Sequence, residues 1–135
     1  MKKILVGFDG SFGSKQALNR AMTLIEEDGE LILLSVIPGR LNKIFVDENI
    51  HHDLKQKAEL MLSDVINSIG QHKYNVKPLV EEGDPASVII DVANKLNVDL
   101  IVLGSKGTSA IGQYLLGSVA NKVVQYAYKP VMVVR

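Results

Sequence analysis

The sequence contains no cysteine, which excludes a disulfide scaffold, a Cys-ligated zinc or iron–sulfur site and thiol nucleophilic catalysis. It also lacks an excess of either charge, with 15 Lys+Arg against 15 Asp+Glu. A nucleic-acid binder usually carries a basic surplus to neutralise phosphates, so nucleic acid is not expected as a partner. No apolar run approaches the roughly 18 residues needed to span a bilayer. The opening Met1-Lys2-Lys3 and the apolar Ile4 to Phe8 are interrupted by Asp9, well short of a signal-peptide core. A soluble, cytoplasmic protein without a membrane partner is the expectation.

What is present suffices for a folded domain. The 135 residues fit one domain, read as residues 1–135, and 47% of them are hydrophobic. That is enough apolar surface to offset the conformational entropy of folding. Short β-branched runs occur at Ile4 to Phe8, Leu31 to Ile37, Val76 to Val80, Leu100 to Leu103 and Val131 to Val134. They are nearly continuous in Ile, Leu and Val, as expected of strands covered on both faces. Longer segments with helical spacing lie between them, the signature of a parallel α/β domain.

Ala17, Leu18, Ala21, Leu24 and Ile25 mark a first helix, expected to end at Asp28-Gly29. Ile50, Leu54, Ala58, Met61, Val65 and Ile69 form the stripe of a long second helix that Gly70 stops. Asp84 reads as the N-cap of a third helix, with Pro85 in its first turn and Val88, Ile89, Val92 and Leu96 buried. A fourth helix follows Gly117-Ser118, with Val119, Val123 and Ala127 spaced by four. Two long connections, Pro38 to Asn49 and Ser105 to Leu116, follow carboxyl ends of strands, the edge where doubly wound sheets bind ligands.

The strongest chemical signal is Leu103-Gly104-Ser105-Lys106-Gly107, followed after nine residues by Gly117-Ser118-Val119. Glycines allow close backbone approach, and the first amides of a helix form an anion site. Ser118 is expected either to cap that helix or to donate to a phosphate oxygen. Gly112 to Ser118 has P-loop glycine spacing but lacks the lysine before the hydroxyl residue, and Gly7 to Gly13 does not match the dinucleotide fingerprint. Asp9, at the end of the first strand, suits ribose hydroxyls or an adenine edge better than phosphate. The alternative is that Asp9 and Ser11 simply cap the first helix.

These residues resemble those of the universal stress protein family, in its nucleotide-binding subgroup, across essentially the whole chain. The resemblance rests on Val6-Gly7-Phe8-Asp9-Gly10-Ser11, on Gly83-Asp84-Pro85-Ala86, and on Gly104-x-x-Gly107-x9-Gly117-Ser118. It implies that Gly7, Phe8 and Asp9 line the adenosine side of an ATP site, with Val36 packing on the base. Leu103, Gly104 and Gly107 would follow the ribose and phosphates, and Gly117, Ser118, Val119 and Ala120 would close on the phosphates. Ala120 stands where many ATP-holding members carry a hydroxyl, and Phe8 where others have a smaller residue. The implied ligand is ATP, with or without Mg2+, or a related adenine nucleotide acting as a stress-response signal. The expected fold is a doubly wound, Rossmann-like five-stranded parallel sheet in order 3-2-1-4-5, with helices on both faces.

The remaining polar features have plainer readings. His51-His52-Asp53 reads as a solvated helix start, because adjacent histidines on a helix point about 100° apart and metal pairs sit at i and i+4. No Gly-x-Ser-x-Gly elbow occurs and His72 neighbours no nucleophile, so no catalytic residue and no metal ligand is expected. Lys15 and Lys106 read as surface lysines, and Tyr126 and Tyr128 as helix-end packing residues. A weak ATPase or a nucleotide-free interaction module are the rival functions. The last strand has few gatekeepers, and pairing with its own copy would close a two-fold homodimer, as the family resemblance also implies. From Leu100 to Arg135 there are four basic residues and no acidic one, which places positive potential where phosphates are expected.

Overall fold

In the computed structural model, residues 1–39, 48–105 and 116–135 are described. The elements run β1 (Lys3–Gly7), α1 (Phe12–Leu24), β2 (Glu30–Ile37), α2 (Glu48–Ile69), β3 (Asn75–Glu82), α3 (Pro85–Lys95), β4 (Leu100–Gly104), α4 (Ser118–Tyr126) and β5 (Val131–Val134). The sheet order is β3-β2-β1-β4-β5, and every neighbouring pair is parallel. This is the expected order 3-2-1-4-5.

The continuous apolar runs follow from the two-residue period of a strand, which sends successive side chains to opposite faces. Leu5, Ile32, Leu34, Ile101 and Leu103 join Ile89, Val92 and Val123 of α3 and α4 in one core. Ile4, Val6, Leu31, Leu33 and Val102 join Ala17, Leu18 and Leu62 of α1 and α2 in the other. Both faces of the central strands are therefore almost wholly apolar, Ser35 of β2 being the buried polar exception. The edge strand β3 is mostly exposed, and it accommodates Pro78 without loss of a central ladder bond. It runs longer than its apolar run because it pairs with β2 through eight residues, up to Ile37 with Glu82.

Four local expectations are corrected. α1 ends at Leu24 rather than at Gly29. The acidic run Glu26-Glu27-Asp28 opposes the negative end of a helix dipole, and its amides are committed elsewhere, Glu26 to Met1 O (3.0 Å) and Asp28 to Lys73 O (2.8 Å). Asp28 itself makes the left-handed turn, at φ 64°. On α2 the buried stripe is centred on His51, Ala58 and Leu62, while Ile50 is 55% exposed. His51 is buried rather than solvated, because its Nε2 meets Glu82 Oε2 at the end of β3. Tyr126 and Tyr128 are not packed at the helix end; they are 65% and 86% exposed.

Candidate functional site

β1 and β4 are adjacent, yet the connections that leave them run toward opposite edges of the sheet. That places a crevice at their carboxyl ends, the switch point of a doubly wound fold. A cavity of about 350 Å³ lies there, within the range of small-ligand sites.

One wall is the turn from β1 into α1. Ser11 caps α1 from an extended conformation, its Oγ accepting from the Ser14 amide at 3.2 Å. Ser14 Oγ returns a bond to Ser11 O (2.9 Å) and accepts weakly from the Asp9 amide (3.4 Å). Asp9 Oδ1 accepts from the Ser11 amide at 2.9 Å. Partial desolvation pushes the Asp9 carboxyl up, but the hydrogen bonds from Ser11 and Ser14 outweigh it and hold the group below its ordinary value. Asp9 therefore fixes the turn and lines the cavity at once, and Ser11 alone is the N-cap.

The floor is the end of β4. A methyl at Gly104 would lie 2.6 Å from Gly13 C and 2.7 Å from Gly13 O, so this glycine lets the first turn of α1 settle on β4. A methyl at Gly7 would meet only the tip of Leu103, at 2.7 Å, and Ile89 at 3.5 Å.

The opposite wall is the start of α4. Gly117, not Ser118, is its N-cap, with φ −60° and ψ 157° and no side-chain hydrogen bond. The Gly117 amide donates to Ser105 O (2.6 Å), tying α4 to β4. The first intrahelical bond runs from the Asn121 amide to Gly117 O (2.9 Å), so the amides of Ser118, Val119 and Ala120 have no helical acceptor. They lie at the positive end of the dipole, with no acidic residue in the first turn. Backbone amides in this arrangement are, as a class, favourable neighbours for an anion.

Ten of the residues singled out in the sequence line this cavity: Gly7, Phe8, Asp9, Val36, Leu103, Gly104, Gly117, Ser118, Val119 and Ala120. Gly107 and Lys106 lie outside the described residues. Phe8 is 3% exposed and packs mainly into the α1–α2 core, and Ala120 is likewise a core residue. Lys15 borders a separate hollow between α1 and α2. Ser11, Ser14, Leu34, Pro85 and Ile89 also line the cavity and were not among the expected lining residues. Ser14 had a signal, since it stands three residues after the cap, where a side chain folds back on the loop. Among the described residues no group of three His, Cys, Asp or Glu is placed to hold a metal ion. Among them, too, no helix is long and apolar enough to cross a membrane.

Fold and crevice together define a doubly wound α/β protein with a pocket at its topological switch, bordered by the first turn of α4. The sequence matches the universal stress protein family along residues 1–135, and the chain belongs to that family. It is 32% identical to the universal stress protein YxiE of Bacillus subtilis, over 98% of each chain. The solved structure of the protein MJ0577 superposes with a TM-score of 0.79 at 32% identity, covering 98% of this chain and 94% of that one. A universal stress family protein of Arabidopsis thaliana, solved with AMP bound, shares the fold at a TM-score of 0.67 and 20% identity, covering 99% and 91%.

Proposed function

We propose that the crevice between β1 and β4 binds an adenine nucleotide, ATP in the first instance, and that its occupancy acts as a signal in a stress response. The observation that carries this reading is the uncapped, acid-free start of α4, facing a turn that offers the Asp9 carboxylate across one cavity. Phosphates suit the first end and sugar hydroxyls the second. The AMP-bound Arabidopsis relative supports an adenine ligand in this fold.

In this reading Gly7, Phe8 and Asp9 border the adenosine, Val36 packs on the base, and Leu103 and Gly104 follow the ribose. Gly117, Ser118, Val119 and Ala120 take the phosphates through their backbone, joined by Gly107. The backbone amides make up for the absence of a hydroxyl at Ala120. A Mg2+ ion arriving with ATP would be held by the phosphates and water, since the described residues provide no acidic cage. Residues 1–135 act as one cytoplasmic domain. Two copies pair through β5, which lies at a sheet edge with all four residues only partly buried.

The reading is tested by denaturing freshly purified protein, weighing the small molecules released, and titrating stripped protein with ATP, ADP and AMP by calorimetry. A co-purified adenine nucleotide, or saturable binding by stripped protein, is expected. Protein that is empty and gives no heat with any of the three would overturn it.

A further inference from the structure

The Asp9 carboxylate reaches the cavity from a turn that one buried hydroxyl holds together. Asp9, Gly10 and Ser11 lie between β1 and α1, and Gly10 takes the left-handed φ of 83° there. A methyl at Gly10 would lie 3.0 Å from Met61 Sδ, so α2 backs the turn on one side. On the cavity side stands Ser14, 5% exposed and lining the crevice beside Asp9 and Ser11.

A serine hydroxyl has one hydrogen to donate and two lone pairs with which to accept. Ser14 gives its hydrogen to Ser11 O, at 2.9 Å, and accepts from the Asp9 amide at 3.4 Å. It therefore bridges the two residues that flank Gly10. Ser11 in turn donates its amide to Asp9 Oδ1 at 2.9 Å, so the backbone that Ser14 clasps is the backbone that aims the carboxylate. With its hydrogen committed, Ser14 has none left for a ligand. An ionised carboxylate, with about four lone-pair sites, keeps room for a ligand donor after accepting from the Ser11 amide.

We propose that Ser14 is a positioning residue for sugar recognition: it locks the turn through Gly10 so that the Asp9 carboxylate meets the ribose hydroxyls, and the site thereby prefers a nucleotide with an intact diol. The assignment rests on the adenine-nucleotide reading above. A vicinal diol offers two O–H donors to the two oxygens of a carboxylate, a charge-assisted pairing whose strength depends on aim. Without the Ser14 hydroxyl the Asp9 amide loses its acceptor, and the turn can swing the carboxylate off the sugar. α1 keeps its cap, because the Ser14 amide still donates to Ser11 Oγ (3.2 Å) and the Lys15 amide to Ser11 O (3.0 Å). Removing the hydroxyl thus loosens the sugar end while leaving the fold and the start of α4 in place.

The test is calorimetric titration of wild type, Ser14→Ala, Asp9→Asn and the double variant with ATP and its dideoxyribose analogue, with circular dichroism of each protein. Wild type is expected to bind ATP about tenfold more tightly than the analogue, the order of one hydrogen bond to a charged group. Ser14→Ala should weaken ATP about fivefold and the analogue by less than about twofold, so that the preference falls toward one. In the Asp9→Asn background Ser14→Ala should add little to the change in that preference, because the group it positions is gone. A preference unchanged by Ser14→Ala, an equal loss for both ligands, additive effects in the double variant, or a Ser14→Ala protein that does not fold overturns the assignment while leaving the nucleotide site standing. A wild type that binds both ligands equally also overturns it, and one that binds neither overturns the nucleotide reading as well.

Discussion

Gly104 combines a packing role with a place in the crevice, and Gly104→Ala separates the two. The added methyl would lie 2.6 Å from Gly13 C, 2.7 Å from Gly13 O and 3.0 Å from Gly13 Cα. These are backbone atoms and cannot rotate away, so the first turn of α1 must lift from β4 or the end of β4 must bend. Overpacking costs about 1–3 kcal/mol, and a backbone clash belongs near the upper value. For a domain of this size about 3 kcal/mol corresponds to a fall in Tm of roughly 8–15 °C. Gly7→Ala supplies the control, because its methyl meets the Cδ2 tip of Leu103, a side chain that can turn. That variant is expected to lose about 1 kcal/mol and to push Leu103 into the cavity, weakening ligand binding more than folding. Thermal unfolding of both variants provides the comparison. A Gly104→Ala protein as stable as wild type, or less affected than Gly7→Ala, would refute the packing argument.

Other expectations follow from the same geometry. Leu62 is fully buried and Ile50 is 55% exposed, so Leu62→Ala is expected to cost about 2–5 kcal/mol in urea unfolding, while Ile50→Ala stays within about 0.5 kcal/mol. The reverse ranking would return Ile50 to the buried stripe, whose later residues Ala58, Met61, Val65 and Ile69 do face the core. Asp99 Oδ2 accepts from the Lys2 and Lys3 amides, each at 3.0 Å, and these bonds hold its carboxyl below the ordinary value. A depressed carboxylate stabilises the fold above its unfolded pKa, near about 3.9, and that stability is lost as pH falls through the lower native value. Asp99→Asn should therefore lower the unfolding free energy at pH 7 slightly, by less than about 1 kcal/mol for so exposed a group, read from urea unfolding, and the gap should close near pH 2. A gap that persists in acid would mean that charge is not its source.

The strands were legible because a buried parallel strand must be apolar on both faces, and Ile4 to Val6, Leu31 to Leu34 and Leu100 to Leu103 are; their order was implied by the resemblance to the universal stress protein family rather than by the apolar pattern. Helix ends and faces were less so, since tertiary partners decide them. The sequence of α1 continues its pattern to Ile25, but Met1 and Lys73 claim the amides of Glu26 and Asp28. His51 looks like a polar residue at a helix start, but it is buried and meets Glu82, a contact between distant segments that the local sequence does not announce. At the crevice the glycines stood out as ligand-facing positions. Their division of labour did not, because Gly104 is required by Gly13, a residue of a different element. Ser118 was an acceptable cap by residue type, yet Gly117 holds the extended φ and ψ. Ile89 lines the cavity from an apolar helix face whose sequence says only that it is buried.

The claim that the start of α4 receives phosphate is tested most directly at Gly117. Its φ of −60° and ψ of 157° are open to any residue, so valine there is expected to fold, at a capping cost of about 1 kcal/mol. Its branched side chain would nevertheless stand between the amides of Ser118 to Ala120 and the ligand. Calorimetric titration of wild type and Gly117→Val with ATP is predicted to show affinity reduced at least tenfold, about 1.4 kcal/mol, in a variant whose circular dichroism matches wild type. A folded Gly117→Val protein that binds ATP as tightly as wild type would contradict the assignment.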